Sequence, residues 1–339
     1  MKRRPLIGTA FAGSVAACFL PLVFTPDQAQ AASFTIKLGS SGGPPNPAEV
    51  AIDNWAQAVD RESQGKIAVN VFHNGTLGNE KALLIGTRSG AMQMGASSNA
   101  NLDSFTDAME VFELPYLLRD APTYFRVWDS DVGKAVRAQI EKKLGIRILM
   151  LLDAGGFRSI LTTRKAVKTH SDLKGLKLRI AFTPVELATF KHWGVDPVAL
   201  ANSEQFTALQ EGTVDGVVPQ PTWIDSDKLY EIAKKLCDIH YAMYSYVVYM
   251  NADYFDKLPG DLQSLLSRVS AEQEGAERKT VAAAIEASKR HLIASGVEWY
   301  VPTPSERAQW EASGKLIWNL FEPKLGKDVI ERVEKLTGT

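Results

Sequence analysis

Apolar residues recur along this chain with two alternating periods, and the switches between them predict an α/β protein. Phe34, Ile36 and Leu38 fall on every second position, as in a strand with one buried face. Gly42-Gly43-Pro44-Pro45 ends that run. Ile52, Trp55 and Val59 then recur at spacings of three and four, predicting a helix that ends near Gly65. A strand over 67–72, a turn over 75–78, a helix over 80–89 and a strand over 92–97 follow. Helical spacing over 121–144 leads into an apolar run at 146–152 that reads as a buried strand. Beyond it the pattern predicts short strands at 158–162, 176–182 and 214–218, and a longer one over 246–251.

Turn and cap residues place the boundaries. Thr183-Pro184-Val185-Glu186 and Thr303-Pro304-Ser305-Glu306 each combine a Thr cap, Pro in the first turn and Glu closing a capping box. Gly155-Gly156 reads as a domain boundary, because two glycines permit a chain reversal that other residues resist. Residues 261–294 read as one helix about 50 Å long. That exceeds one small lobe, so the helix is expected to run along two. The length of 339 residues agrees, at roughly 150 residues per domain. The expected fold is therefore α/β, with two lobes, a hinge, a central cleft and a long helix spanning both. Residues 32–155 plus 245–284 are assigned to lobe I, and 156–244 plus 285–339 to lobe II.

The first 31 residues stand apart. Lys2, Arg3 and Arg4 precede a mostly apolar stretch from Leu6 to Phe24, and Ala29-Gln30-Ala31 offers a cleavable junction. This is the pattern of a secretory signal peptide cut after Ala31. The arginine pair leaves a twin-arginine route open beside the general one. Val15-Ala16-Ala17-Cys18 also resembles a lipobox, which would lipidate Cys18 but leave the apolar stub Phe19–Phe24 on the mature chain. Export as a soluble periplasmic protein is the expectation, with a lipid anchor or an uncleaved anchor as alternatives.

Composition then narrows the chemistry. The chain is 45% hydrophobic and 23% charged, which suits a globular protein. Its 38 basic and 39 acidic residues give a net charge of −1. Loss of Lys2, Arg3, Arg4 and Asp27 with the export segment moves that to −3. No basic excess is available to hold a phosphate backbone, so nucleic-acid binding has no electrostatic basis. Of the two cysteines only Cys237 remains after export, so no internal disulfide is expected. The five histidines (73, 170, 192, 240, 291) lack metal-ligand spacing, and neither a metal nor a cofactor is expected.

Two features point to a site. Gly39-Ser40-Ser41-Gly42-Gly43 matches the G-x-S-x-G elbow of serine hydrolases, with Ser41 as nucleophile. Against it, Pro44-Pro45-Asn46-Pro47 delays the helix that an elbow requires, and the strand before it is the first of the mature protein. A loop at a strand end is the simpler reading. The second feature is Arg179. Leu176, Leu178 and Ile180 alternate with Lys177 and Arg179, so Arg179 points away from the apolar side, four residues before the Thr183 cap. An arginine at a strand end beside a helix amino terminus suits a carboxylate, which its planar fork can bind through two parallel hydrogen bonds. A solvated sheet face is the alternative. The aromatics Trp193, Trp223, Phe182, Tyr246 and Tyr249, individually core candidates, would as a set supply stacking surface for an organic ligand.

The chain resembles the DctP-type extracytoplasmic solute-binding proteins of tripartite ATP-independent periplasmic (TRAP) transporters over about residues 34–330. The resemblance is carried, in order, by Gly75-Thr76-Leu77-Gly78, Val111-Phe112-Glu113-Leu114-Pro115-Tyr116-Leu117, Gly156-Phe157-Arg158 and Asp172-Leu173-Lys174-Gly175-Leu176-Lys177-Leu178-Arg179. Gly194-Val195-Asp196-Pro197-Val198, Ser203-Glu204, Ala208-Leu209-Gln210 and Gly212-Thr213-Val214-Asp215-Gly216 complete it. It implies a non-enzymatic receptor in which Arg179 pairs bidentately with a substrate carboxylate and Arg158 assists. Ser97 to Asn99 and the loop from Ser40 to Asn46 are implied to approach the ligand from lobe I. It further implies a monomer that hands its organic acid to small and large integral membrane subunits. Two positions depart from the family: Pro219 stands where many members carry a ligand-contacting asparagine, and Asn202 where an aromatic is common. Gln220 or Trp223 is expected to supply the missing contact, with Phe182 nearby. A receptor serving a sensor or an ABC-type importer is the nearer functional alternative.

Overall fold

The computed structural model describes residues 32–338; the export segment, the Arg3-Arg4 pair and the lipobox at Cys18 lie outside the described residues. In chain order the strands are β1 (Phe34–Ser40), β2 (Ile67–Phe72), β3 (Met94–Ser98), β4 (Ile146–Phe157), β5 (Ile160–Thr162) and β6 (Lys177–Ile180). They continue as β7 (Asp196–Ala199), β8 (Gly216–Val217), β9 (Lys235–Cys237), β10 (Met243–Asn251) and β11 (Glu298–Tyr300). Two sheets result, with orders β2-β1-β3-β10-β4 and β11-β9-β5-β8-β6-β7. Each centres one lobe of the expected α/β fold. β10 lies antiparallel between β3 and β4, so the chain comes back to the first sheet after building most of the second. Among the described residues, no helix is long and apolar enough to cross a membrane.

Local chemistry explains the first lobe. On β1, Ile36 and Leu38 are fully buried while Thr35 and Lys37, which alternate with them, are exposed. The helix Pro47–Glu62 begins with Pro47 behind Asn46, whose side chain accepts from the Ala48 N–H. It lays Ile52, Trp55 and Val59 on the core. The helical pattern at 121–144 divides into Ala121–Asp129 and Asp131–Leu144. Ser130 breaks it by leaving the helical conformation and capping the second helix through Val132. Gly133 permits the tight turn, since a Cβ there would lie 1.8 Å from the Trp128 carbonyl oxygen.

The glycine pair proves to be something other than a reversal. Gly155 and Gly156 sit inside β4, with φ of +101° and +95°. Their N–H groups donate to Asp153 Oδ1 at 2.8 and 2.7 Å. The strand is bent rather than ended and carries on to pair Phe157 with Met243 of β10. β4 and β10 are thus the paired segments from which the chain passes between lobes.

The helix Gly260–Ala294 runs along both. Near its start Leu262, Leu266 and Val269 pack into the core shared with β1 and the helix Pro47–Glu62, where Trp55 donates to Ser270 Oγ at 3.0 Å. Near its end Leu292 packs into the core of the second sheet, and His291 pairs with Asp225 at 2.7 Å. In between, Glu274 accepts from the Leu151 N–H and Glu277 from the Asp153 N–H, covering the open edge of β4. Burial holds both carboxyls above the usual range, to about 7 and about 8.

Strands β7, β9 and β11 escape the sequence pattern, being only three or four residues long without sustained alternation. Of the two predicted capping boxes, the one at Thr303 and Glu306 forms in full. At Thr183 the hydroxyl caps Val185, but Glu186 reaches instead to the Ala181 N–H, at 2.6 Å, and to Tyr241.

Gly155→Ala is expected to destabilise the protein by about 2 kcal/mol or more, through strain at positive φ and overpacking. The added Cβ would meet Thr222 Oγ1 at 1.7 Å. Gly65→Ala, at φ +74° with open space around it, should cost only about 1–2 kcal/mol. Urea unfolding of both variants checks this; equal midpoints would contradict it.

Candidate ligand-binding site

A cavity between the lobes collects charged groups at the ends of strands. Ser41, Glu80, Ser98, Asn101, Ala154 and Tyr246 line it from the first lobe. Arg158, Arg179, Asn202, Gln205, Pro219, Gln220 and Trp223 face them from the second. It is small, with a volume of about 40 Å³.

Arg179 leaves the end of β6, between Val198 of β7 and Val217 of β8, and is 5% exposed. Its Nε and Nη2 donate to the Leu200 carbonyl at 3.0 and 2.7 Å, and Nη1 to Gln205 Oε1 at 3.5 Å. All its partners are neutral, and it makes no ion pair among the described residues. Burial, and then the positive charge of Arg158, lower its pKa to about 10; Glu186, Glu80 and Asp227 act the other way. The helix Pro184–His192 contributes less than its position suggests, because the Leu200 carbonyl and Gln205 steer the guanidinium. The Ala181 N–H just before that helix is taken by Glu186.

Arg158 lies just past β4 and is 4% exposed. Its Nε is 3.1 Å from Glu186 Oε1, and its guanidinium sits over the Tyr244 ring at 4.4 Å. Burial opposes the charge, but Glu186 and the oxygens of Tyr241, Tyr244 and Glu113 outweigh it, and the pKa rises. This is why Glu186 leaves its capping box. Nε is committed to Glu186, whereas Nη2 of Arg158 makes no hydrogen bond among the described residues, so the fork keeps a donor that a carboxylate could accept from.

Other side chains shape the walls. Trp223 donates from Nε1 to the Ala154 carbonyl at 2.7 Å and tilts against Tyr246. Gly42 allows its ring to close over the first lobe: a Cβ there would lie 2.4 Å from Trp223 Cη2. Asn202 and Gln205 hold one another at 2.7 Å and both donate to Asp227. Burial raises the Asp227 carboxyl to about 6. Besides the Trp223–Ala154 hydrogen bond, contacts that join the lobes beside the cavity include Asn202 N–H to Glu80 Oε1 at 3.2 Å, Asn46 to Thr222 at 3.3 Å, and Thr183 to Glu113.

Seven of the ten residues singled out from the sequence therefore line one cavity: Arg179, Arg158, Gln220, Trp223, Asn202, Pro219 and Ser41. Three do not. Ser97 pairs with Val247 and points to the opposite face of β3, whereas its neighbour Ser98, opposite Tyr246, faces the cavity. Asn99 is buried in a structural role, donating to Glu113 at 2.7 Å and accepting from the Ser245 N–H at 2.9 Å. Phe182 is 43% exposed and lines a separate surface hollow with Pro184 and Leu187. Among the aromatics, Trp193 belongs to a ring cluster with Phe190, Tyr241 and Trp310, and Tyr249 is core. Ser98 lies within the Ser97–Asn99 segment expected near the ligand, whereas Glu80, Asn101 and Gln205 are additions from the structure. Of these, only Glu80 carries a sequence signal, an Asn-Glu helix start.

The hydrolase geometry is absent. The Ser41 hydroxyl is 3.0 Å from the Tyr246 hydroxyl and hydrogen-bonds to no histidine among the described residues. Ser40 instead leads outward: it donates to Glu49 at 2.7 Å, and Glu49 holds His73, which also meets Asp53.

Comparison with known proteins decides between receptor and enzyme. The family model for bacterial extracellular solute-binding proteins of family 7, DctP, matches residues 38–324. The chain belongs to that family. Its members bind solutes for transport, and the serine-hydrolase alternative falls. A solute-binding protein of Verminephrobacter eiseniae is 30% identical, over 89% of each chain. A TRAP periplasmic solute-binding protein of Sulfurospirillum deleyianum with bound succinate is 27% identical with a TM-score of 0.85, covering 90% of this chain and 99% of its own. The sugar acid binding protein of Advenella mimigardefordensis, in complex with galactonate, is also 27% identical, with a TM-score of 0.86 over 90% and 97%.

His73 gives the outer end of this network a pH dependence. The Glu49 hydrogen bond, aided by Asp53, raises its pKa from 6.5 to about 9 against the opposing effect of burial. A raised folded-state pKa stabilises fully below the unfolded value and ceases to do so as pH climbs through the folded one. The melting temperature should therefore fall between pH 6.5 and 9 in the wild type, and fall less in His73→Ala. Parallel curves for the two would contradict the pairing.

Proposed function

We propose that this protein is the periplasmic receptor of a TRAP transporter, closing its lobes over an organic acid whose carboxylate lies on Arg179 with Arg158 assisting. The observation that carries this reading is Arg179 itself, a buried cation with only neutral partners. Burying an unpaired charge costs several kcal/mol, and a second guanidinium nearby adds to the cost. A carboxylate offsets both. Because lining groups come from both lobes, a bound acid stabilises the closed form by contacts that the open form lacks, as a ligand-driven closure requires.

Succinate and galactonate in the related structures support an organic acid as the ligand class. Gln220, whose side chain has no hydrogen bond among the described residues, is placed to serve where Pro219 has none to offer. The bent β4 and the adjoining start of β10 carry the hinge, with the lobes divided at 155/156 and 244/245 and again at 284/285. Residues 1–31 direct export, and small and large integral membrane subunits take the ligand from the closed receptor.

Titration calorimetry of the mature chain against small organic acids tests this. Arg179→Ala should weaken binding by about 2–5 kcal/mol without loss of fold. Arg179→Lys should also bind poorly, since a point charge does not reproduce the fork. Unchanged affinity in both variants would overturn the reading.

A further inference from the structure

We infer that Glu80 makes this receptor selective for a hydroxylated monocarboxylate over a dicarboxylate, accepting a hydrogen bond from a ligand hydroxyl while the single carboxylate lies on Arg179. The inference rests on the carboxylate reading above and extends it to the other end of the ligand.

Both cations of the cavity, Arg158 and Arg179, belong to the second lobe, and Arg158 already faces Glu186 at 3.1 Å. The first lobe lines the cavity with Ser41, Ser98, Asn101, Tyr246, Ala154 and one charged group, Glu80. Glu80 opens the helix Glu80–Arg88 and is 5% exposed. It pairs with no lysine or arginine among the described residues. Oε1 is held by the Asn202 N–H across the lobes, at 3.2 Å. Oε2 accepts no hydrogen bond among the described residues.

An ionised carboxylate is an acceptor only. A hydroxyl can donate to it, whereas a second carboxylate can only repel it. A dicarboxylate anchored on Arg179 would bring its far end to a wall that carries a negative charge and no positive one. The pairing also favours one anion rather than two: Arg158 already faces Glu186, and Arg179, held by neutral groups, is the cavity's one cation without an ion pair among the described residues. The space amounts to about three waters, comparable in bulk to an acid of about four carbons.

Two acids of matched size separate the cases: 3,4-dihydroxybutyrate and succinate, titrated calorimetrically into residues 32–339. The dihydroxy acid should bind at least about tenfold tighter, a difference of ~1.4 kcal/mol. In Glu80→Gln, which keeps an oxygen for the Asn202 N–H, succinate should gain and the preference should shrink about tenfold or more. Tighter succinate binding by the wild type, an unchanged ratio in Glu80→Gln, or no binding of either acid would overturn the inference. The underlying reading fails separately, through Arg179→Ala retaining full affinity for whichever acid binds. If Arg179→Ala abolishes binding while the acids compete equally, only the role of Glu80 is lost.

Discussion

A guanidinium removed from water with no counter-ion is the constraint around which this molecule is arranged. Arg179 is buried between two parallel neighbours, tethered by the Leu200 carbonyl and by Gln205. Burial, and then a second guanidinium nearby, depress its pKa. Neutral tethers fix its direction without quenching its charge, which a carboxylate in the same place would do. Arg158 is treated differently: Glu186 and the Tyr244 ring stabilise its charge, yet its Nη2 keeps a donor unused by hydrogen bonds among the described residues. One arginine supplies uncompensated charge and the other supplies directed donors.

The fold serves that arrangement by bringing two sheets together on short, stiff segments. β4 bends at Gly155 and Gly156, where its register with β10 shifts before Phe157 pairs with Met243, and Asp153 holds both glycine N–H groups. The long helix supports the bend through Glu274 and Glu277 on the edge of β4, then continues to the second core. Trp223 closes over Gly42, where only hydrogen leaves room for its ring. The site is therefore made from residues that lie far apart in the chain.

Much of this was legible in the sequence where the relevant interactions are local. The alternation of Ile36 and Leu38, the Thr303 capping box and the apolar spacing of the long helix all depend on near neighbours, and each appears as read. Arg179 was legible because alternation placed it off the apolar face of β6. What stayed hidden depends on partners distant in sequence. Glu186 fits a capping box until Arg158, 28 positions earlier in the chain, claims its carboxylate. Ser97 and Ser98 differ only in which face of β3 they occupy, and the pairing with β10 decides that. Asn99 looks like a ligand contact until Glu113 and Ser245 account for its amide. The glycine pair signalled unusual backbone correctly, but the form it takes, a bend inside β4 rather than a reversal, came from Asp153 and Thr222.

The central claim is that the cavity recognises negative charge on a carboxyl group. Comparing the affinity of a bound organic acid with that of its primary amide tests it most directly, since the two share shape and carbon skeleton and differ in charge. The account predicts measurable heat and a defined dissociation constant for the acid, and no detectable binding for the amide under the same conditions. Equal affinity for the two would mean that the buried guanidiniums do something other than hold an anion.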